Sequence, residues 1–288
     1  MTDDQTLQHK AQTSHTPARV AELRRRYDTA RARRENWRSL WQDAYDFAMP
    51  QRGDFTSTTR QSGAQKGERV FDATALDAVD QLAASLLGNL TPPWSQWFGF
   101  KPGPDLSAQE AESLKPVLQE VATTLQDHLE RSNFAVEIHQ CFLDLVVGGT
   151  ASLYVEEADP GAMAALNFTA LPLSDVVLQE GAGGDLDTTF RESQMRLEAL
   201  KSRFPGAALP PSLLAEGERD AEAQFTVVEA VVPDDTAFVY SAYLGDYSDD
   251  QAMLARMRLP ASPFISFRWM KSPGEIYGRS PVMKSLPD

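Results

Sequence analysis

Seven arginines lie close together near the amino terminus and offer the most distinctive chemistry in the sequence. A guanidinium group pairs with phosphate or carboxylate through several N–H donors, so the cluster predicts a contact with phosphate or with an acidic neighbouring subunit. Glu22, Asp28 and Glu35 dilute the positive charge, and no aromatic stacking pattern for single-stranded nucleic acid accompanies it. A solvated helix face remains the other interpretation. The candidate contact residues are Arg24, Arg25, Arg26, Arg31, Arg33, Arg34 and Arg38.

Residue types that carry catalysis elsewhere occur here without the spacing that catalysis needs. The glycines of residues 181–184 lack the lysine and the strand–turn–helix context of a phosphate-binding loop. His128 and His139 do not have the spacing of a helical zinc pair, and no carboxylate completes a ligand set. No two carboxylates stand out as a general acid and base. We therefore predict no catalytic, metal-binding or cofactor-binding residue, and an enzyme with an unrecognised acidic site stays open as an alternative.

A long amphipathic helix is predicted to position the arginines. It begins at Pro17, which Thr16 can cap, and ends before Pro50. Its apolar row includes two proposed packing anchors, Trp37 and Trp41. Residues 1–16 are polar and predict a disordered tail, and residues 51–69 are rich in Gly, Ser and Thr and predict a mobile loop. A helix of this length is also typical of an adaptor that binds a partner, which is a second alternative.

Residues 70–100 predict a helix, a sharp stop and an aromatic segment. Leucines and small residues recur at three- and four-residue steps after Asp72, and Pro92 and Pro93 end the helix. Large apolar side chains follow at once. Because such side chains are usually buried, the segment predicts a buried core helix with an aromatic plug. The packing anchors proposed in this segment are Trp94, Trp97 and Phe98.

Two more helices and a strand-rich region complete the predicted fold. Ser107 and Glu110 predict a capping box before a helix that ends near Glu130, and Asn133 starts another that ends at the glycines of residues 148–149. Beyond residue 150 the apolar pattern alternates, which is typical of strands. We therefore predict an α+β fold, with a helical region over 17–149 and a mostly antiparallel β region over 150–288.

Composition and charge limit the classes of function. The first 70 residues carry 13 Lys and Arg against 9 Asp and Glu, or +4, and the remainder carries 14 against 32, or −18. An acidic body argues against a general DNA-coating protein. The sequence has no apolar run long enough to cross a membrane. The single cysteine, Cys141, lies in an apolar run, which agrees with synthesis in a reducing cytoplasm.

Several segments, in order and spacing, resemble the portal (head-to-tail connector) protein of short-tailed double-stranded-DNA phages. The resemblance covers nearly the whole chain, although no single segment is decisive. The segments are Trp37 and Trp41 with Tyr45 and Pro50; Phe71 to Thr74; Leu90 to Trp94 with Trp97 and Phe98; Ser132 to Phe134; Gly148 to Ala151; and Tyr277 to Pro281 with Leu286 to Asp288.

The resemblance implies a structural protein and no enzyme. Portal subunits form a dodecameric ring at one capsid vertex, where DNA passes through the channel and tail proteins attach. The implied partners are identical subunits, capsid and scaffolding proteins, terminase, tail proteins and double-stranded DNA bound without sequence specificity, with no membrane. The implied location is the virion, after synthesis in the cytoplasm of the host bacterium.

The resemblance also implies which part of a portal this sequence is. The first half of the chain is similar to the wing, the peripheral domain of the ring. The segment that ends at Asp288 leads, in portal proteins, into stem helices, a clip and a crown. We therefore expect the chain to correspond to the amino-terminal part of a portal, without stem, clip and crown.

Overall fold

A computed structural model of the chain describes residues 20–52, 55, 70, 72–247 and 252–286. The predicted tail and most of the predicted loop over 51–69 lie outside these residues. The described part is an α+β fold with antiparallel sheets, as the sequence predicts. The helices are α1 (Val20–Ala48), α2 (Thr74–Leu90), α3 (Ala108–Arg131), α4 (Phe134–Gly148), α5 (Leu197–Arg203), α6 (Pro211–Arg219) and α7 (Pro281–Ser285). The strands are β1 (Thr150–Glu157), β2 (Leu166–Leu171), β3 (Val176–Gln179), β4 (Thr188–Arg196), β5 (Gln224–Asp234), β6 (Ala237–Leu244), β7 (Met253–Leu259) and β8 (Phe264–Arg268).

Local sequence signals set the ends of the two central helices. Ser107 and Glu110 form the predicted capping box at the start of α3, with each side chain bonded to the other residue's backbone N–H. Helix α4 ends at Gly149, whose φ of 73° is the left-handed conformation that glycine adopts without a steric penalty. Both predictions are confirmed, and the second fixes the direction in which the chain enters β1.

The strands form two antiparallel sheets. One has the order β2-β1-β8, and the other is a meander with the order β3-β4-β5-β6-β7. Strand β8 therefore returns from the meander to pair with β1, for example Ser152 with Ser266. This return brings the carboxyl-terminal segment of the described chain back beside the end of α4.

Strands β3 and β7 and helices α5 to α7 were not predicted from the sequence. Strand β3 has only four residues, between Asp175 and Glu180, and it is too short to show a periodic pattern. Strand β7 contains two arginines in seven residues, so apolar alternation is weak. These elements form by pairing and packing with neighbouring strands and helices, and a local sequence pattern does not contain that information.

The core lies where α1 and α4 pack on the sheets. The inner face of α1 is buried, and so is nearly all of α4 after Glu137. Among the described residues, no helix combines the length and the apolar character needed to cross a bilayer.

Candidate functional site

Arg34 is part of the fold. Its side chain is buried, and Nη1 donates to the carbonyl oxygens of Ser174 at 2.9 Å and Val176 at 2.8 Å. These carbonyls lie where the chain enters the edge strand β3, so the guanidinium fastens α1 to the larger sheet. A charge used in this way is not available to a partner.

Three further arginines of α1 also have partners within the chain. These contacts are partly exposed, and exposed ion pairs contribute little to stability, so they orient the side chains more than they stabilise the fold. The pairs are Arg26 Nη2 to Gln179 Oε1 at 3.1 Å, Arg31 Nη1 to Glu192 Oε2 at 3.3 Å and Arg38 Nη1 to Glu35 Oε1 at 2.7 Å.

Three arginines of α1 remain, and two of them lie on its outward side. Arg24 is half-buried, and Arg25 and Arg33 are exposed. Within the part of the chain that the structure describes, neither Arg25 nor Arg33 forms an ion pair. Arg33 lines an open cleft of about 760 Å³ together with Trp37. The predicted cluster thus divides into arginines that hold the fold and arginines that face outward.

Trp41 is the centre of a buried junction between distant parts of the chain. Its side chain is fully buried, its indole N–H donates to the carbonyl oxygen of Gly148 at 3.1 Å, and its ring lies edge-on to Tyr277 at 4.9 Å. Trp37 is half-buried, 5.8 Å from the Trp41 ring. Burial raises the pKa of Tyr277 to about 12, so its hydroxyl, which accepts from the backbone N–H of Leu178, stays protonated.

The two glycine-containing segments of the resemblance meet beside Trp41. A Cβ on Gly149 would collide with the backbone of Gly278. The two backbone segments therefore approach closely only because both residues lack side chains. Gly278 N–H donates to Thr150 Oγ1 at 2.9 Å, and Ser280 Oγ donates to the carbonyl oxygen of Val147 at 2.7 Å. The segments around residues 37–41, 148–151 and 277–281, which are far apart in sequence, therefore form one junction.

A buried carboxylate fixes the start of the predicted loop over 51–69. Asp144 on α4 is buried, accepts a hydrogen bond from Tyr45 at 2.8 Å and forms an ion pair with Arg52 at 2.8 Å. Burial, and then the Asp144 charge, raise the pKa of the Tyr45 hydroxyl well above its usual range. The ion pair thereby holds Arg52, at the start of the predicted loop, against α4.

Glu229 is a fully buried carboxylate with several partners. It lies on β5, accepts from Tyr240 at 2.6 Å, and pairs with Arg191 at 3.2 Å and Arg203 at 3.4 Å. Arg203 also donates to Tyr154 on β1, which joins the larger sheet to the smaller one. The carboxylate is enclosed by cationic and hydroxyl partners, an arrangement that holds two sheets together.

Sequence reasoning missed this cluster, although a signal was present. Glu229 interrupts the apolar run of β5, and a charged residue in a buried strand needs partners. Elsewhere, the described residues contain no group of His, Cys, Asp and Glu arranged to hold a metal ion. Cys141 is buried, and burial raises the pKa of its thiol, which disfavours the reactive thiolate.

The aromatic segment after α2 differs from the predicted core plug. Only Val79 and Ala83 are buried on α2, because α4 covers one narrow face of the helix. Trp94 is 74% exposed and Trp97 is 38% exposed, and Phe98 is half-buried. The prediction of a buried core helix was wrong within the described residues, since the periodic apolar face of α2 exceeds the surface that they place against it. The proposed role of Trp94, Trp97 and Phe98 as packing anchors stays a prediction, and it concerns contact with a partner.

Trp97 still contacts the body of the molecule. Its ring is stacked on Phe134 at 6.0 Å and 11°, and Phe134 lies edge-on to Phe168 on β2. Asn133 clamps the same strand, donating to the carbonyl oxygen of Phe168 at 2.7 Å and accepting from its N–H at 2.9 Å. The segment from α2 to α3, residues 74–131, therefore contacts the body through α2, Trp97 and α3 and is exposed along much of its length; we call it the arm.

Comparison with known proteins agrees with the sequence resemblance. The profile of the family described as bacteriophage head to tail connecting protein matches residues 20–288. A curated relative, the probable portal protein of Bordetella phage BPP-1, is 26% identical over 275 residues, which is 91% of this chain and 49% of that protein. The chain thus spans about half the length of the curated relative that it matches. Because the match includes α1, the junction segments and both sheets, the chain belongs to the bacteriophage head to tail connecting protein family.

Proposed function

We propose that this chain is a structural subunit of a phage portal ring at one capsid vertex, which serves as conduit for DNA and as attachment point for the tail. The observation that carries the proposal is the family match over residues 20–288, which includes all three segments of the buried junction. The relative's name supports the portal role. The DNA channel and the tail attachment are further parts of our proposal.

The proposed partners follow from a portal role. They are identical subunits in a dodecameric ring, capsid and scaffolding proteins, terminase, tail proteins and double-stranded DNA that passes without sequence-specific binding. The proposed location is the portal vertex of the virion, after synthesis in the host cytoplasm. The family is a structural class, and the energy for DNA movement is supplied by the terminase in this proposal.

The charge distribution supports a surface past which DNA slides. Residues 71–288 carry a net charge of −18. Each phosphate contact by Lys or Arg adds affinity and resists movement along the duplex, so a conduit with few such contacts offers less resistance. The outward arginines of α1 are too few for a DNA-coating surface and fit a contact with an acidic protein surface.

We further propose that residues 17–149 and 150–288 are the helical and β parts of one wing-like unit. The packing of the carboxyl-terminal segment against α1 and α4 supports a single unit, because Tyr277 and Ser280 both bond to the helical part or lie against it.

A gene deletion tests the proposed function. Deletion of the coding sequence from the phage that carries it should leave capsids that lack packaged DNA and tails, as seen by negative-stain electron microscopy and nuclease-protected DNA. Supplying the gene in trans should restore both. Tailed, DNA-filled heads in the deletion strain would contradict the portal role.

A further inference from the structure

The arm exposes an apolar surface that the described residues leave uncovered. Trp94 is 74% exposed, Leu90 56% and Val117 53%. The first part of α3 carries no buried residue until Ala122. We call this set the arm surface, and it comprises Leu90, Trp94, Trp97, Phe100, Leu106, Leu114, Val117 and Val121.

The exposed area is large enough for a stable contact. Summed over these side chains it is on the order of 800 Å², which is what each partner contributes to a standard protein interface. Patches on monomeric proteins are usually about 300–600 Å². The summed exposed area of these eight side chains therefore exceeds that of a usual single patch.

The arm is acidic. Residues 72–131 carry 9 Asp and Glu against 3 Lys and Arg. Glu120 and Asp127 are exposed on one side of α3, two turns apart, beside the row that contains Val117 and Val121. A partner of this surface should therefore combine positive charge with groups that pack on aromatic rings.

The outward side of α1 has these properties. Arg25 and Arg33 are exposed, lie about two turns apart and have no ion pair among the described residues. A guanidinium stacks on Trp rings, covers apolar surface with its aliphatic stem and pairs with carboxylates. The two surfaces of the chain are thus complementary to each other in charge and in chemistry.

We propose that the arm surface of one copy docks on the outward side of α1 of a second copy. The two contact surfaces are different parts of the chain, so the contact is head-to-tail and closes into a ring or extends as a chain of subunits. The proposal rests on the portal role, since a ring needs such a contact between identical subunits, and it names the surfaces that make it.

Reciprocal charge reversal tests this contact. An α1 variant carries Arg25→Glu and Arg33→Glu, and an arm variant carries Glu120→Lys and Asp127→Lys. The wild-type chain should self-associate in sedimentation velocity as its concentration rises, and each variant alone should associate at least about tenfold more weakly, because like charges then face each other. An equimolar mixture should recover association, since each reversed surface meets an opposite charge on the other variant.

Matched controls separate this contact from general charge effects. Lys201→Glu with Arg219→Glu, and Glu198→Lys with Glu218→Lys, change exposed residues on α5 and α6 by the same charges. Both controls should associate as wild type does. Recovery in the mixture also shows that the variants fold.

Several results would overturn the proposal. They are a wild-type chain that stays monomeric at its solubility limit, variants that associate as wild type does, and a mixture in which association does not recover. A monomeric wild type is the result expected if the arm binds a different partner, such as a scaffolding protein. None of these results would contradict the portal role, because the deletion strain tests that role separately by DNA packaging.

Discussion

The buried junction and the arm are built from similar residues and end in opposite environments. Both contain tryptophans, within or just after a helix with a periodic apolar face, yet Trp41 is fully buried and Trp94 is 74% exposed. At the junction, three distant segments converge and hydrogen bonds satisfy the polar groups, whereas α4 covers only a narrow face of the arm. The difference shows that the junction belongs to the fold of the subunit, and it is the basis of our proposal that the arm contacts another subunit.

The largest expected effect is a difference in stability between variants of Trp41 and Trp94. Trp41→Ala leaves a cavity in the junction and removes the bond to Gly148, so the free energy of unfolding should fall by about 4 kcal/mol. Trp94→Ala, the matched control, should change it by less than about 0.5 kcal/mol, as surface substitutions do. Urea denaturation followed by far-UV circular dichroism measures both. Equal losses for the two variants would remove the distinction between junction and arm.

Glu229 provides the next largest effect. Glu229→Ala leaves Arg191 and Arg203 without their buried partner, and breaking a buried ion pair by removing one member costs about 3 kcal/mol. Glu120→Ala on the arm removes an exposed carboxylate and should change the free energy of unfolding by less than about 0.5 kcal/mol. Urea midpoints of the two variants report the difference. A stable Glu229→Ala protein would show that the sheets are held together by apolar packing alone.

Gly149 tests the close approach at the junction. Gly149→Ala places a Cβ at a left-handed φ and against the backbone of Gly278, so unfolding should become easier by about 2 kcal/mol. Gly103→Ala is the control, because nothing lies within 4 Å of a Cβ built there. Thermal unfolding of both proteins gives the comparison. An unchanged midpoint for Gly149→Ala would mean that the two segments separate without cost.

Ser107 is expected to give the smallest effect, and a local one. Ser107→Ala removes the capping box of α3, and loss of such a cap costs about 1 kcal/mol of helix stability. Since the first turns of α3 have few contacts, amide hydrogen exchange there should accelerate while the junction stays protected. Ser113→Ala within the same helix is the control. Faster exchange at the junction as well would indicate that arm and junction unfold together.

Local patterns in the sequence predicted the helices before residue 150 well. The capping box at Ser107 and the left-handed glycine at 149 are determined by neighbouring residues, so a short pattern contains the information. The α+β order followed from the change of period near residue 150. The short strand β3 and the arginine-containing β7 were missed because they depend on neighbouring elements.

The division of the arginines could not be read from the sequence. Arg34 and Arg33 are adjacent, yet Arg34 is buried against β3 and Arg33 faces outward. Helical spacing predicts that they lie on different faces, but not which face meets β3, an edge strand that was not predicted. The apolar periodicity of α2 likewise predicts a face that packs, and it does not tell whether the partner lies in the same chain.

Sedimentation velocity over a concentration series tests most directly whether the arm is a surface for another subunit. The variant to compare with wild type carries Trp94→Ser, Val117→Ser and Val121→Ser, all exposed positions of the arm surface. We expect wild type to associate as concentration rises, and the variant to remain monomeric with an unchanged thermal midpoint. A variant that associates like wild type, or one that unfolds at a clearly lower temperature, would contradict the account, because the arm would then serve the fold of its own chain.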